Sequence, residues 1–168
     1  FTIMRNFKLW QSIVQEASTA PMAIVKFLCC VYATKTFFVD VTYCPGPSML
    51  PTMNTSGGSG DVVLADRFSP RLGRIGRGDI VVVRSPENPR KLITKRIIAM
   101  ENDNITFLVD PLNSDKSESV VVPKGHVWIQ GDNIYASRDS RDFGPVPYGL
   151  IYGKVFWRVW PTKDFGPL

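Results

Sequence analysis

The chain has one histidine, His126, and three cysteines, Cys29, Cys30 and Cys44. A single imidazole cannot build a two-histidine metal site, so zinc chemistry is not expected. An odd cysteine count, two of them adjacent in an apolar stretch and none in CxxC spacing, gives neither a disulfide framework nor a metal site. There is no internal repeat and no low-complexity tract, and no Lys/Arg run exceeds two residues. Basic residues are not interleaved with aromatics, so no nucleic-acid platform is expected. After Asp40 nothing calls for a long helix.

What is present is a chain of 168 residues, 44% hydrophobic and with a formal charge of +5, sufficient for one core plus an appendage. Thirteen glycines and thirteen prolines punctuate short runs of Val, Ile, Phe and Tyr, which predicts mainly β structure. The basic residues crowd between Arg67 and Arg96, either as an ordinary solvated surface or as a face for an anionic lipid surface.

Residues 1–20 carry apolar side chains at amphipathic helical spacing. The run Met22–Val39 is the most apolar in the chain, about as long as the minimum that spans a bilayer, and holds Lys26 and Lys35 near its ends. It is expected to be a retained membrane anchor, with an interfacial or core helix as the other reading. A cleaved signal peptide is disfavoured because no A-x-A site follows. Residues 1–40 are thus expected to be a helical segment with an anchor at about 22–39, and residues 41–168 a β-rich domain. Strands are predicted at Asp61–Ala65, Gly78–Arg84, Lys91–Met100, Asn104–Asp110, Ser119–Pro123, His126–Asp132 and Ile151–Trp160.

Three stretches carry candidate chemistry. In YCPGPSMLPT, Tyr43–Thr52, three prolines fix φ and one glycine stays free, so the backbone is a rigid turn that can present Ser48 at a defined angle. In KLITKRIIAM, strand alternation places Ile93, Lys95, Ile97 and Ala99 on one face and Arg96 on the other. A lysine between two isoleucines on an apolar face is desolvated, and a desolvated amine loses its proton more readily and can act as a base. In the polar, turn-rich segment Gly131–Gly149, Asp139 and Arg141 have opposite charge and Ser137 has a hydroxyl that could hold a lysine amine. A Ser-His-Asp triad would have to use His126 at a strand start, whereas a Ser-Lys dyad of Ser48 and Lys95 needs no imidazole.

With the three stretches in view, the chain resembles type I signal peptidases. The matching boxes are GPSMLPT, RGDIVVV, TKRIIAMEND and GDNIYASRDSRDFGPV, in the family's order across residues 44–147. The GHVWIQGDN approach and the tail GPVPYGLIYGKVFWRVWP look most like the branch formed by subunit 1 of mitochondrial inner membrane peptidases, in its plant form. The resemblance implies a signal-peptidase-like antiparallel β-sheet or barrel. It implies a serine endopeptidase anchored in the inner membrane, its catalytic domain facing the intermembrane space. That enzyme removes sorting presequences, works beside a second subunit of the same family, and needs no cofactor or metal. Residue by residue, Ser48 is similar to the nucleophile and Lys95 to the general base. Ser137 resembles the lysine-orienting hydroxyl, and Asp139 and Arg141 the pair that braces the site.

Two positions depart from the pattern. Many bacterial members have a serine where this chain has Gly46, so a side-chain donor to the oxyanion is missing and the Ser48 N–H is the donor that can be named. A lost donor of this kind is worth ~3 kcal/mol of transition-state stabilisation. The usual Gly-Asp of the lysine box is Asn102-Asp103, and asparagine tolerates the positive φ such a turn needs. Other readings are a thylakoid or bacterial-type signal peptidase, and a catalytically silent basic β module that scaffolds a peptidase complex. A self-cleaving repressor-type protease shares the dyad, but its helix-turn-helix and Ala-Gly cleavage site are absent from the sequence.

Overall fold

The computed structural model describes residues 21–55, 57, 60–109 and 116–168, so the amphipathic stretch 1–20 lies outside the described residues. The chain divides between Phe38 and Val39 into two compact units. In the first, residues 21–37 form helix α1, on which Met22, Ile24, Phe27 and Leu28 are exposed. Among the described residues no helix is long and apolar enough to cross a membrane. The apolar run was expected to stay helical to Val39, but Val39 already belongs to a strand, paired with Asp66. Nothing polar interrupts the sequence there, so hydropathy alone did not mark the change.

The second unit is mainly β, with only single helical turns among its described residues. Its strands are β1 (Val39–Cys44), β2 (Asp61–Asp66), β3 (Ile80–Arg84), β4 (Leu92–Ala99), β5 (Asn104–Leu108), β6 (Ser117–Val121), β7 (His126–Gln130), β8 (Val146–Pro147), β9 (Ile151–Trp160) and β10 (Gly166–Pro167). Seven match the predicted runs. The strands β1, β8 and β10 were not anticipated, the last two being only two residues long. Tyr43 and Cys44 were read as part of the serine turn, yet they pair with Val62 and Asp61. The strand stops at Pro45, which has no N–H to continue the ladder.

One antiparallel sheet runs in the order β1-β2-β9-β3-β4-β7-β8, with β10 beside β9, and β5 and β6 form a separate hairpin. Strand β3 lies in the interior and is buried on both faces, which is why it reads as an unbroken Ile-Val-Val-Val run. Ile80 and Val82 join a core with Met49, Met53, Val63 and Val155, while Val81 and Val83 join another with Ile97, Val127, Ile129 and Ile151. Three strands separate β1 from β4 in the sheet order, yet Cys44 Sγ and Thr94 Oγ1 are hydrogen-bonded at 3.1 Å. The sheet therefore curls until its first strand approaches its fifth, in the manner of a half-barrel. The turn after β4 keeps the expected shape: Asn102 has φ 65, and its N–H donates to Val122 O at 2.8 Å.

Candidate active site

The serine turn is a single 3-10 turn, Pro47–Met49, entered through Gly46 at φ 96. No atom lies within 4 Å of where a Gly46 side chain would start, so it is the left-handed backbone that requires glycine here, not crowding. Met49 and Met53 are buried in the core beneath the turn, as a stiff presenter of Ser48 requires. A second network holds the turn from behind. Arg158 donates to Thr52 O at 2.6 Å and pairs with the buried Asp61 at 3.2 Å. Asp61 in turn accepts from Asn54 N at 3.0 Å, and Asn54 Nδ2 donates to Gly46 O.

Lys95 lies on β4 with Ile93 and Ile97 on its face, as strand alternation predicts, and is 4% exposed. Its pKa falls from 10.5 to about 8. Burial is the largest cause; the Asp139 charge opposes it, and Arg141 and Lys91 add to it. Among the described residues no carboxylate forms an ion pair with Lys95. Arg96, on the other face, forms a bidentate pair with Asp132 at 2.7 and 2.8 Å and reaches Thr52 Oγ1 at 3.3 Å.

The polar segment folds around Asp139, which caps the single-turn helix Ser140–Phe143. Arg141 grips Asp139 from Nε at 2.9 Å and Nη2 at 3.0 Å, and both side chains are buried. Asp139 Oδ2 also accepts from Ser137 Oγ at 2.7 Å and Gly131 N at 2.9 Å. Burial works to raise the Asp139 pKa, but these hydrogen bonds outweigh it and hold the group below its usual 3.8. The charged pair thus fixes the Ser137 hydroxyl hydrogen and leaves its oxygen free to accept.

All of these converge on Gly131, which the sequence reading passed over as the start of a loop. Antiparallel pairing sets Arg96 against Gln130 and ends there, so Lys95 and Gly131 are the first residues beyond that end of the ladder. A Cβ on Gly131 would lie 2.3 Å from Ser137 Oγ and 2.4 Å from Ser48 O. Ser48 and Ser137 therefore both press against the residue that follows β7, where its pairing with the lysine strand ends. Among the described residues no hydrogen bond joins Lys95 to either serine; such contacts commonly tighten only when substrate is bound. His126, the triad candidate, instead bonds Lys124 O through Nδ1 at 3.0 Å and does not line the cleft described next.

Ser48 and Lys95 open onto one cleft of about 520 Å³, whose lining includes Thr42–Gly46 from β1 and the serine turn and Lys91–Thr94 at the start of β4. Each of these two stretches offers an open strand edge. Among the described residues β1 pairs only with β2, and β4 is paired to β7 only from Arg96 onward, so Leu92–Lys95 has one free edge. An extended peptide fits such a gap by adding main-chain hydrogen bonds.

The sequence matches the family described as "Signal peptidase, peptidase S26" over residues 17–118 and 109–160. It is 52% identical over 167 residues to the mitochondrial ATP-independent inner membrane protease subunit 1a of Arabidopsis thaliana, covering 99% of this chain and 98% of that one. Against the Homo sapiens mitochondrial inner membrane protease subunit 1, identity is 43%, covering 84% of this chain and 82% of the relative. Against subunit 2 of that protease from Danio rerio it is 46%, over 70% of this chain and 62% of the relative. The expected likeness to a plant subunit 1 is borne out. With a family match across most of its length and relatives this similar, the chain belongs to the peptidase S26 family of signal peptidases.

Proposed function

We propose that the chain is a membrane-bound serine endopeptidase with a Ser48–Lys95 dyad, removing sorting presequences from proteins directed to the mitochondrial intermembrane space. The observation that carries this reading is a buried lysine with no ion-pair partner among the described residues, its pKa brought to about 8, sharing a cleft with a serine on a rigid turn. Neutral Lys95 takes the Ser48 proton, and the alkoxide attacks the scissile carbonyl. The Ser48 N–H stabilises the resulting oxyanion, and Lys95 returns the proton to the leaving amine. Water activated by the same lysine then releases the acyl-enzyme. Ser137 orients the lysine, and Asp139 with Arg141 braces Ser137.

The run Met22–Val39, helical through residue 37, serves as the anchor, with the catalytic unit beginning near Asp40 and facing the intermembrane space. The names of the relatives, inner membrane proteases with subunits 1 and 2, support this location and a partner subunit of the same family. The deciding experiment incubates presequence-bearing substrates with wild type and Ser48→Ala and sequences the new N-termini. Cleavage at one defined bond by wild type alone supports the assignment; equal cleavage by Ser48→Ala removes it.

A pH profile follows from the base. Only neutral Lys95 accepts the serine proton, so kcat/KM should rise about tenfold per pH unit below about 8 and level off above it. A profile flat from pH 6 to 9 would mean that another group takes the proton.

A further inference from the structure

With Gly46 offering no side-chain donor, the oxyanion depends on the Ser48 N–H, and something must aim it. We propose that Asn133 is the positioning residue that fixes the peptide planes on both sides of Ser48. This inference rests on Ser48 being the nucleophile. Asn133 N donates to Ser48 O at 3.1 Å, and Asn133 Nδ2 donates at 3.2 Å to Pro47 O, which also accepts from Leu50 N at 3.1 Å within the turn. One residue therefore holds the two carbonyls that bracket the nucleophile.

The planarity of the peptide unit gives these bonds their consequence. Pro47 C=O and Ser48 N–H belong to one trans peptide, in which they point in opposite directions. Drawing the Pro47 oxygen towards Asn133 turns the Ser48 N–H away from it. The bond to Ser48 O fixes the next plane in the same way. By contrast, the unit that Asn54 holds through Gly46 O contains the proline nitrogen, so that contact steadies the turn without aiming a donor.

Asn133 is itself set firmly. Its Oδ1 accepts from Tyr135 N at 3.2 Å, which decides the direction of the amide and leaves Nδ2 for Pro47. The preceding Asp132 is clamped by Arg96, and Arg96 also reaches Thr52 at the far end of the serine turn. The loop that carries Asn133 is thus tied to β4, the strand of the general base.

The test uses the full chain in detergent and a presequence peptide cleaved by wild type, comparing Asn133→Ala and Asn133→Asp. Both keep the backbone N–H to Ser48 O and the Leu50 N–H to Pro47 O, and lose the side-chain donor to Pro47 O. The expected result is a fall in kcat of roughly 30- to 100-fold with KM within about threefold, because donors aimed at an oxyanion act on the transition state and not on binding. The midpoint of the pH profile of Asn133→Ala should stay where wild type has it, since Lys95 is untouched. A kcat within threefold of wild type in both variants overturns the proposal. So does a loss carried by KM, a displaced midpoint, or failure of both variants to fold. If Ser48→Ala cleaves like wild type, the functional reading has failed. If Ser48→Ala is inactive and Asn133→Ala turns over normally, only this inference has failed.

Discussion

Lys95→Met should lose cleavage by about 10³-fold or more, as removal of the proposed general base would, while the protein becomes harder to unfold. The gain in stability comes from the feature that makes the lysine useful. A drop in pKa from 10.5 to about 8 corresponds to about 3 kcal/mol of unfavourable burial of the ammonium form. Methionine has similar length, no charge and a taste for irregular apolar space, so it removes that cost without opening a void. The sign follows from proton counting. Between about pH 8 and 10.5 the unfolded chain binds more protons at this position than the folded one, so wild-type stability rises with pH across that window. The advantage of Lys95→Met should therefore be largest at neutral pH and below, and gone by about pH 10.5. Urea unfolding at pH 7 and pH 10 measures it. A variant that is inactive but less stable at pH 7 would show that Lys95 is not held against its solvation preference.

Gly131→Ala should be nearly as damaging to activity, although alanine adds one carbon and no chemistry. The new Cβ would sit 2.3 Å from Ser137 Oγ and 2.4 Å from Ser48 O, closer than real Cβ contacts come, and one of those neighbours is backbone. Either the serine turn or Ser137 must give way. A displacement of about 1 Å at a reacting group costs roughly 10²-fold, and overpacking of this kind costs about 1–3 kcal/mol of stability. Gly149→Ala is the control, because no atom lies within 4 Å of its added carbon. Wild-type turnover in Gly131→Ala would mean that the convergence of Ser48 and Ser137 on this residue is not needed for the reaction.

Seven strands were legible because Val- and Ile-rich runs bounded by Gly and Pro report burial directly, and β3 is the clearest instance. Strand β1 was hidden because the apolar run of α1 passes into it without a polar break. Strands β8 and β10 have too few residues to carry a period. At the site, Ser48 could be read from the proline-fixed turn and Lys95 from its isoleucine neighbours, since both depend on local sequence. Gly131, Asn133 and Asn54 could not, because their roles lie in contacts with Pro47, Ser48 and Gly46 made across the fold. The one local hint was that Gly131 directly follows a buried strand, a place where a missing side chain often marks close approach of another backbone.

Among the described residues, the unpaired edges of β1 and of Leu92–Lys95 leave the sheet one ribbon short at its cleft. A guest that fills the vacancy is held by its amides, which every polypeptide has in the same places, and so most of its side chains go unread. On the proposed function, such a receptor would suit a clientele of unrelated leaders that have little in common beyond an extended stretch near the bond to be cut. Discrimination would then fall to the few positions nearest Ser48, and drift elsewhere in a leader would cost it nothing.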